Sequence, residues 1–176
     1  MTIVITSGDP AGIGPEIVQK AWICLKKNPT NEFFWIGDPL HLPDSKIPWQ
    51  PIEHPNQASK VFGDALPILI HKFAHPIKVG QHQPENAADV INVIKKAVNL
   101  VKTNKAKALC TSPINKNVLM SGAKFPYTGH TEFLANLDGI DSPVMMLSCS
   151  TLKVVPVTTH IPLKDVPNRI SIKLLT

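Results

Sequence analysis

Short, β-branched apolar runs in this chain repeatedly pass into a glycine- or hydroxyl-rich loop and then into a helix-forming segment, and this repetition constrains the fold more than any other feature. Thr2-Ile3-Val4-Ile5-Thr6 leads into Ser7-Gly8-Asp9-Pro10-Ala11-Gly12-Ile13-Gly14, after which Pro15 and Glu16 open a helix predicted to run to about Lys27. Proline suits the first helical position because its missing N–H has no partner to lose there, and a first-turn carboxylate suits the helix dipole. Phe33-Phe34-Trp35-Ile36 reads as a second strand ending at Gly37-Asp38, and Lys107-Ala108-Leu109-Cys110 as another, running into Thr111-Ser112-Pro113-Ile114-Asn115-Lys116. Continuous apolar runs mark strands covered on both faces, as in parallel sheets. Strands alternating with helices predict an α/β fold, in which ligands collect beyond the carboxyl ends of the strands. Ser7, Thr111 and His160 stand at such ends.

The remaining segments are read in the same way. Prolines at 39, 43, 48, 51, 55, 67, 76 and 84 argue against long helices and central strands between Pro39 and Pro84, leaving short strands and loops. His41, His54, His71, His75 and His82 fall here without a repeated metal-ligand spacing, and most read as surface residues. Asn86 is placed to cap a helix over 87–103, with Val90, Ile91, Ile94, Ala97, Val98 and Val101 on its apolar face. A helix from Asn117 to about Ser121 is expected to stop at Gly122. Val144 to Cys149 and Lys153 to Thr159 read as strands about a turn at Ser150-Thr151. Asp165 to Thr176 opens an apolar helix that the chain leaves unfinished, which points to a truncated protein.

Composition narrows the class. With 176 residues and 43% hydrophobic content the chain can bury one real core. Cys24, Cys110 and Cys149 are widely spaced, unpaired by any Cys-x-x-Cys and set in apolar runs, so they read as buried free thiols in a reducing compartment. The expected location is cytoplasmic, because a strand begins at once with no charged or signal-length apolar segment before it. No stretch approaches the ~20 apolar residues that cross a bilayer, so no membrane association is expected. A net charge of +5 favours anionic partners, but the lysines are scattered and have no aromatic residues interleaved. That excludes nucleic acid as the expected partner and leaves a small phosphorylated ligand.

Phe125-Pro126-Tyr127-Thr128-Gly129-His130-Thr131-Glu132-Phe133-Leu134-Ala135 sets an imidazole, hydroxyls and a carboxylate where a loop turns into a helix. Thr128 or Thr131 can cap that helix and Glu132 suits its dipole, but neither duty calls for His130. His130 is either structural or a ligand contact through hydrogen bonding or proton transfer near neutral pH. The loop from Gly8 to Gly14 is either a tight structural turn or an anion cradle, and it is neither a Walker loop nor a Gly-x-Gly-x-x-Gly turn. The hydroxyls, amide and ammonium of 111–116 suit a solvated loop as well as a ligand. His160 ends a strand and is a candidate metal ligand, although a catalytic metal site typically takes three protein ligands.

Taken together, Ser7-Gly8-Asp9-Pro10-Ala11-Gly12-Ile13-Gly14-Pro15-Glu16-Ile17, Thr111-Ser112-Pro113-Ile114-Asn115-Lys116, Tyr127-Thr128-Gly129-His130-Thr131-Glu132-Phe133-Leu134-Ala135 and Thr158-Thr159-His160-Ile161-Pro162-Leu163 resemble four ordered motifs of the 4-hydroxythreonine-4-phosphate dehydrogenase family. The resemblance implies an isocitrate/isopropylmalate-dehydrogenase-like α/β architecture. It also implies a homodimer with active sites between domains, here a first domain over 1–125 and the start of a second over 126–176. The implied reaction is NAD-dependent, metal-assisted oxidation and decarboxylation of 4-phosphooxy-L-threonine, a phosphorylated amino acid, in pyridoxal 5′-phosphate biosynthesis. By the same resemblance His130 and Thr131 match substrate-binding positions and His160 matches the first of three histidines holding a divalent cation (Zn, Mg or Co). No residue is assigned to the chemical step or to NAD.

Family members are roughly twice as long, so the chain is expected to be a truncated N-terminal half, with apolar surface left uncovered. The alternative is a non-catalytic relic, or one half of a split enzyme, that keeps substrate- or partner-binding surfaces.

Overall fold

The computed structural model describes residues 1–141, 143–159 and 161–175. Its elements are β1 (Ile3–Thr6), α1 (Gly14–Leu25), β2 (Phe33–Gly37), β3 (Trp49–Pro51), α2 (Ala58–Val61), β4 (Leu66–Ile70), α3 (Ala87–Lys102), β5 (Ala108–Cys110), α4 (Lys116–Ala123), α5 (His130–Asp138), β6 (Leu147–Ser148), β7 (Lys153–Val154), α6 (Val166–Arg169) and α7 (Ile172–Leu175). They group into two compact units, Met1–Gly139 and Ile140–Thr176.

In the first unit five parallel strands form one sheet in the order β3-β4-β2-β1-β5. The central strand β2 is buried throughout, which is why its sequence runs apolar without alternation. Its side chains divide between the two faces. Phe33 and Trp35 pack with Val18 and Trp22 of α1 and with Phe62, Leu66 and Ile68. Phe34 and Ile36 join Val4 against Val93, Ala97 and Leu100 of α3. Each such large apolar side chain contributes about 1.5–3 kcal/mol on burial. Trp22 also satisfies its ring N–H by donating to the Phe62 carbonyl at 2.8 Å.

The apolar stripe of α3 is wider than its sequence pattern predicts. Val93 and Leu100 are buried in addition to Val90, Ile94 and Ala97, because the helix is covered twice. One side meets the sheet, and the other packs Val90 and Ile94 against Val118 and Leu119 of α4 and Phe133 of α5. Asn86 stands at the predicted N-cap but makes no side-chain cap; its Oδ1 accepts from the His75 N–H at 3.2 Å, tying down the preceding loop.

Other expectations are corrected. β4 contains Pro67 and yet lies inside the sheet. Its registered pairing with β2 begins at Trp35↔Ile68, one residue after the proline, so the absent N–H falls ahead of the ladder. Gly122 does not stop α4; it lies within the helix, which ends at Ala123 with Lys124 left-handed at φ 50°. A Cβ at Gly122 would come 1.9 Å from the Pro84 carbonyl oxygen, so this glycine serves close packing rather than termination. Neither Thr128 nor Thr131 caps α5, whose N-cap is Gly129. All three cysteines are free but exposed rather than buried; Cys110 lies on the outer strand β5.

The second unit is built differently. β6 and β7 pair antiparallel through Leu147↔Val154 and Ser148↔Lys153, shorter than the predicted strands. The helix expected from Asp165 appears as the single turns α6 and α7. No described residue of this unit is buried, and Val144, Leu152, Leu163 and Ile172 are strongly exposed. An isolated two-stranded hairpin gains little stability alone, which accounts for the short ladder. Among the described residues no helix is long and apolar enough to cross a membrane.

Candidate functional site

The sheet order carries the first functional statement. From β1 the chain steps outward through β2, then returns to place β5 on the other side of β1. The boundary between β1 and β5 is therefore a topological switch point, where the loops after the two strands diverge and leave a crevice at their carboxyl ends. Those loops begin at Ser7 and Thr111, two of the strand-end residues singled out from sequence.

The loops are bonded into one structure. The Ser112 N–H donates to Thr6 Oγ1 at 3.1 Å in a buried position, and the Asp9 N–H donates to the Pro113 carbonyl at 2.9 Å. Gly8 has φ +67°, and a Cβ there would lie 2.5 Å from the Pro113 oxygen and 2.8 Å from the Ser112 Cβ. Only glycine fits that approach, so Gly8 holds the two loops in close contact. Asp9 shapes the turn by accepting from the Ala11 N–H at 3.0 Å.

A cleft of about 570 Å³ opens between the loops, lined by Asp9, Gly12, Ile13, Pro113, Ile114 and the start of α4 at Asn115–Asn117. Asn115 caps α4, its Oδ1 accepting from the N–H groups of Asn117 and Val118. Its Nδ2 lies 3.2 Å from Nε2 of His82, while the Gly80 N–H donates to the Ala11 carbonyl at 2.8 Å. The segment around His82 thus joins the site. Sequence gave no signal for this, since proline spacing says nothing of what a loop touches.

Lys116 links this cleft to a second one of about 480 Å³, lined by Lys116, Met120, Lys124, Phe125, Tyr127 and Thr128. A methyl group on Gly129 would lie 3.9 Å from Lys116 Nζ and 3.8 Å from a Glu132 carboxylate oxygen. Three of the four sequence motifs therefore meet around Lys116. Sequence reasoning gives Asp9 no role of its own and reads Asn115 and Lys116 as suiting a solvated loop as well as a ligand; all three line the clefts.

His130 and Thr131 are the first two residues of α5, beside this junction, and neither lines the two clefts. Thr131 is exposed. His130 is half-buried; its Nε2 is shut off from solvent and has no hydrogen-bond partner among the described residues. Burial holds its pKa below the ordinary histidine value, so the ring is neutral near pH 7. A neutral imidazole with an unused ring nitrogen is suited to receive or give one hydrogen bond to a ligand. His160, the predicted metal ligand, lies outside the described residues. Among the described residues, no three His, Cys, Asp or Glu side chains gather to hold a metal.

A parallel sheet flanked by helices, with a loop-built cleft at its switch point, defines an α/β domain, and the solved structures that superpose on it give it the isocitrate/isopropylmalate-dehydrogenase-like fold. The crystal structure of a 4-hydroxythreonine-4-phosphate dehydrogenase from Burkholderia phymatum superposes with a TM-score of 0.88 at 32% identity, over 99% of this chain and 54% of that one. A terephthalate 1,2-cis-dihydrodiol dehydrogenase from Burkholderia xenovorans shares the fold alone, with a TM-score of 0.70 at 18% identity.

The chain belongs to the family described as pyridoxal phosphate biosynthetic protein PdxA, whose model matches residues 31–176. It is 52% identical over 165 residues to the 4-hydroxythreonine-4-phosphate dehydrogenase of Ruegeria sp. (strain TM1040), covering 94% of this chain and 50% of the relative. The corresponding protein of Roseobacter denitrificans is 46% identical, over 98% of this chain and 52% of the relative. The chain thus spans about half the length of the relatives it matches.

Proposed function

We propose that this chain supplies the first half of a metal-assisted, NAD-dependent 4-hydroxythreonine-4-phosphate dehydrogenase, acting on 4-phosphooxy-L-threonine in pyridoxal 5′-phosphate biosynthesis. The observation that carries the proposal is the 52% identity to a named relative across nearly the whole chain. The meeting of three family-like loops at the switch point supports it. A homodimer and a domain division at 125/126 belong to the same proposal and rest on the resemblance, and a cytoplasmic location belongs to it on the reading of the cysteines and of the first residues.

His130 and Thr131 bind the substrate in this reading. His130 Nε2 is unpartnered but shut off from solvent, so in this reading the first turn of α5 opens to bring it to a substrate hydroxyl or phosphate oxygen, with the neutral ring able to serve either as donor or as acceptor. Thr131 offers an exposed hydroxyl one residue on. The ammonium groups of Lys116 and Lys124 give the adjoining cleft a positive field suited to a phosphate. The first cleft mixes the Asp9 carboxylate and Asn115 amide with the apolar side chains of Ile13 and Ile114, which fits the sugar-and-ring portion of a dinucleotide.

When bound, NAD would supply the two-electron acceptor for oxidation at the carbon bearing the substrate's hydroxyl, whose proton would leave to a base, and the resulting carbonyl β to the carboxylate would allow loss of carbon dioxide. The divalent cation rests on the resemblance of His160 alone, because the described residues assemble no metal cluster.

NADH formation from 4-phosphooxy-L-threonine with Mg²⁺ or Zn²⁺ tests the reading, first with the chain alone and then with the C-terminal half of the Ruegeria relative added. Turnover is expected only in the second mixture. There His130→Ala should raise KM by about 10- to 100-fold, the loss of one hydrogen bond to a charged ligand. His160→Ala should abolish metal-dependent turnover. No turnover in either mixture, or kinetics unmoved by both substitutions, would sink the assignment. The second reading, one half of a split enzyme, is favoured by the second unit, where no described residue is buried.

A further inference from the structure

The segment between β4 and α3 passes beside the first cleft and is built as a separate flap. Its base is fixed. The His71 N–H donates to the Gly37 carbonyl at 3.1 Å, and His71 Nε2 lies 3.1 Å from Asp89 Oδ1, while Asp89 Oδ2 accepts from the Ala74 N–H at 3.0 Å. The buried Asn86 accepts from the His75 N–H and closes the base from the other end. Beyond it residues 76–83 brace one another. Gln83 Oε1 accepts from the Lys78 N–H at 2.6 Å, its Nε2 donates to the Pro76 carbonyl at 2.8 Å, and the Gln81 N–H donates to the Lys78 carbonyl at 3.0 Å. A short loop whose ends are tied by its own side chains is a compact unit.

This unit bridges the two loops between which the cleft opens. Gly80, left-handed at φ +76°, donates its N–H to the Ala11 carbonyl of the first loop at 2.8 Å. Two residues on, His82 Nε2 meets Asn115 Nδ2 of the second loop at 3.2 Å. The second contact has a defined direction. Asn115 Oδ1 accepts from the Asn117 and Val118 N–H groups to cap α4, so the group turned to His82 is the amide NH₂, which only donates. His82 Nε2 must therefore accept, which it can do only while the ring is neutral. A protonated ring sets donor against donor. His71 behaves otherwise, because a ring nitrogen that donates to Asp89 does so whether the ring is neutral or charged, and the base of the flap holds in both states. The charged groups on the elements around His82 are Lys78 and Glu85 of its own segment, Asp9 of the first loop and Lys116 of the second. Their charges balance, which leaves the fixed amide to decide the state of the ring.

We propose that residues 76–83 are a proton-operated strap across the switch-point cleft. With His82 neutral the strap is tethered to both walls. Protonation of His82 releases the Asn115 wall, and the strap, held only through Gly80, opens more often. The device belongs to the free chain and does not depend on the dehydrogenase reading.

The test follows the whole isotope-labelled chain by NMR from about pH 8 to about pH 5, the range in which histidine changes charge. Solvent exchange of the Gly80 amide, corrected for the intrinsic pH dependence of a free amide, reads the opening. It should quicken by about 2- to 10-fold as the His82 ring protonates, the effect of losing one hydrogen bond. Asn115→Asp keeps a capping oxygen for α4 but turns an acceptor toward His82, so the step should vanish. His82 is exposed, so His82→Leu leaves the core intact, and it should exchange fast across the whole range with no step. The proposal is overturned if Gly80 exchange shows no step at the titration of His82, if the step survives in Asn115→Asp, or if His82→Leu retains it.

Discussion

Gly122→Ala sets two physical rules against each other. Within a helix, alanine is favoured over glycine by about 1 kcal/mol, so propensity alone makes the substitution stabilising. Packing says the opposite. The new methyl carbon would stand 1.9 Å from the Pro84 carbonyl oxygen, 2.7 Å from its carbon and 2.8 Å from the Ala87 Cβ, where ordinary contact begins at 3.4 Å. The first two obstacles are backbone, so relief requires α4 to retreat from the Pro84–Asn86 turn by about 1.5 Å, loosening Val118 and Leu119, which are 3% and 1% exposed. Overpacking of this kind costs about 1–3 kcal/mol, and partial loss of two buried side chains adds a similar amount. After the propensity gain, the expected net destabilisation is about 1–5 kcal/mol.

Urea unfolding followed by the fluorescence of the buried Trp22 and Trp35 reads this in the first unit. Gly63→Ala is the control, since a Cβ there meets nothing within 4 Å, and it should be neutral or slightly stabilising. A Gly122→Ala protein as stable as the parent would refute the close-packing account.

Two further expectations concern titration. The Cys149 thiol is fully exposed, and hydrogen bonds from the Thr151 hydroxyl and then the Thr151 and Leu152 backbone hold its pKa below the ordinary cysteine value. Alkylation with iodoacetamide followed by mass spectrometry should therefore modify Cys149 before Cys24 and Cys110, and Thr151→Val should slow it; equal rates at all three would contradict this. Burial lowers the pKa of His130, and of His41 against the opposing pull of Asp38. The folded state thus binds these protons less readily than the unfolded state, so stability is full above about pH 6.5 and declines as the pH falls through the folded values. Urea midpoints should drop between about pH 7.5 and 5.5, and by less in a His130→Asn variant; an unchanged slope would remove His130 from that account.

The parts of the fold written in local periodicity were legible from sequence: β1, α1, β2 and α3 fall within a few residues of their predicted bounds. What depends on a partner was not. Pro67 is tolerated inside the sheet because pairing with β2 starts one residue later, a matter of register rather than composition. Gly122 looked like a terminator because its packing partner lies a long way back in the chain, at Pro84. Apolar neighbours made the cysteines look buried, but Cys110 sits on an outer strand. At the site, glycines and strand ends marked the two switch-point loops correctly. The roles of Asp9, His82 and Lys116 appeared only once those loops were brought together.

The bond from the Ser112 N–H to Thr6 Oγ1 joins residues 106 positions apart. Synthesis at about 5–20 residues per second separates the appearance of the two partners by roughly 5–20 s. Throughout that interval the first strand, α1 and β2 exist without the loop that holds Gly8 and Asp9 in place. The carboxyl end of the sheet therefore cannot be completed early, and the crevice between the two loops forms only when β5 and residues 111–113 arrive beside β1.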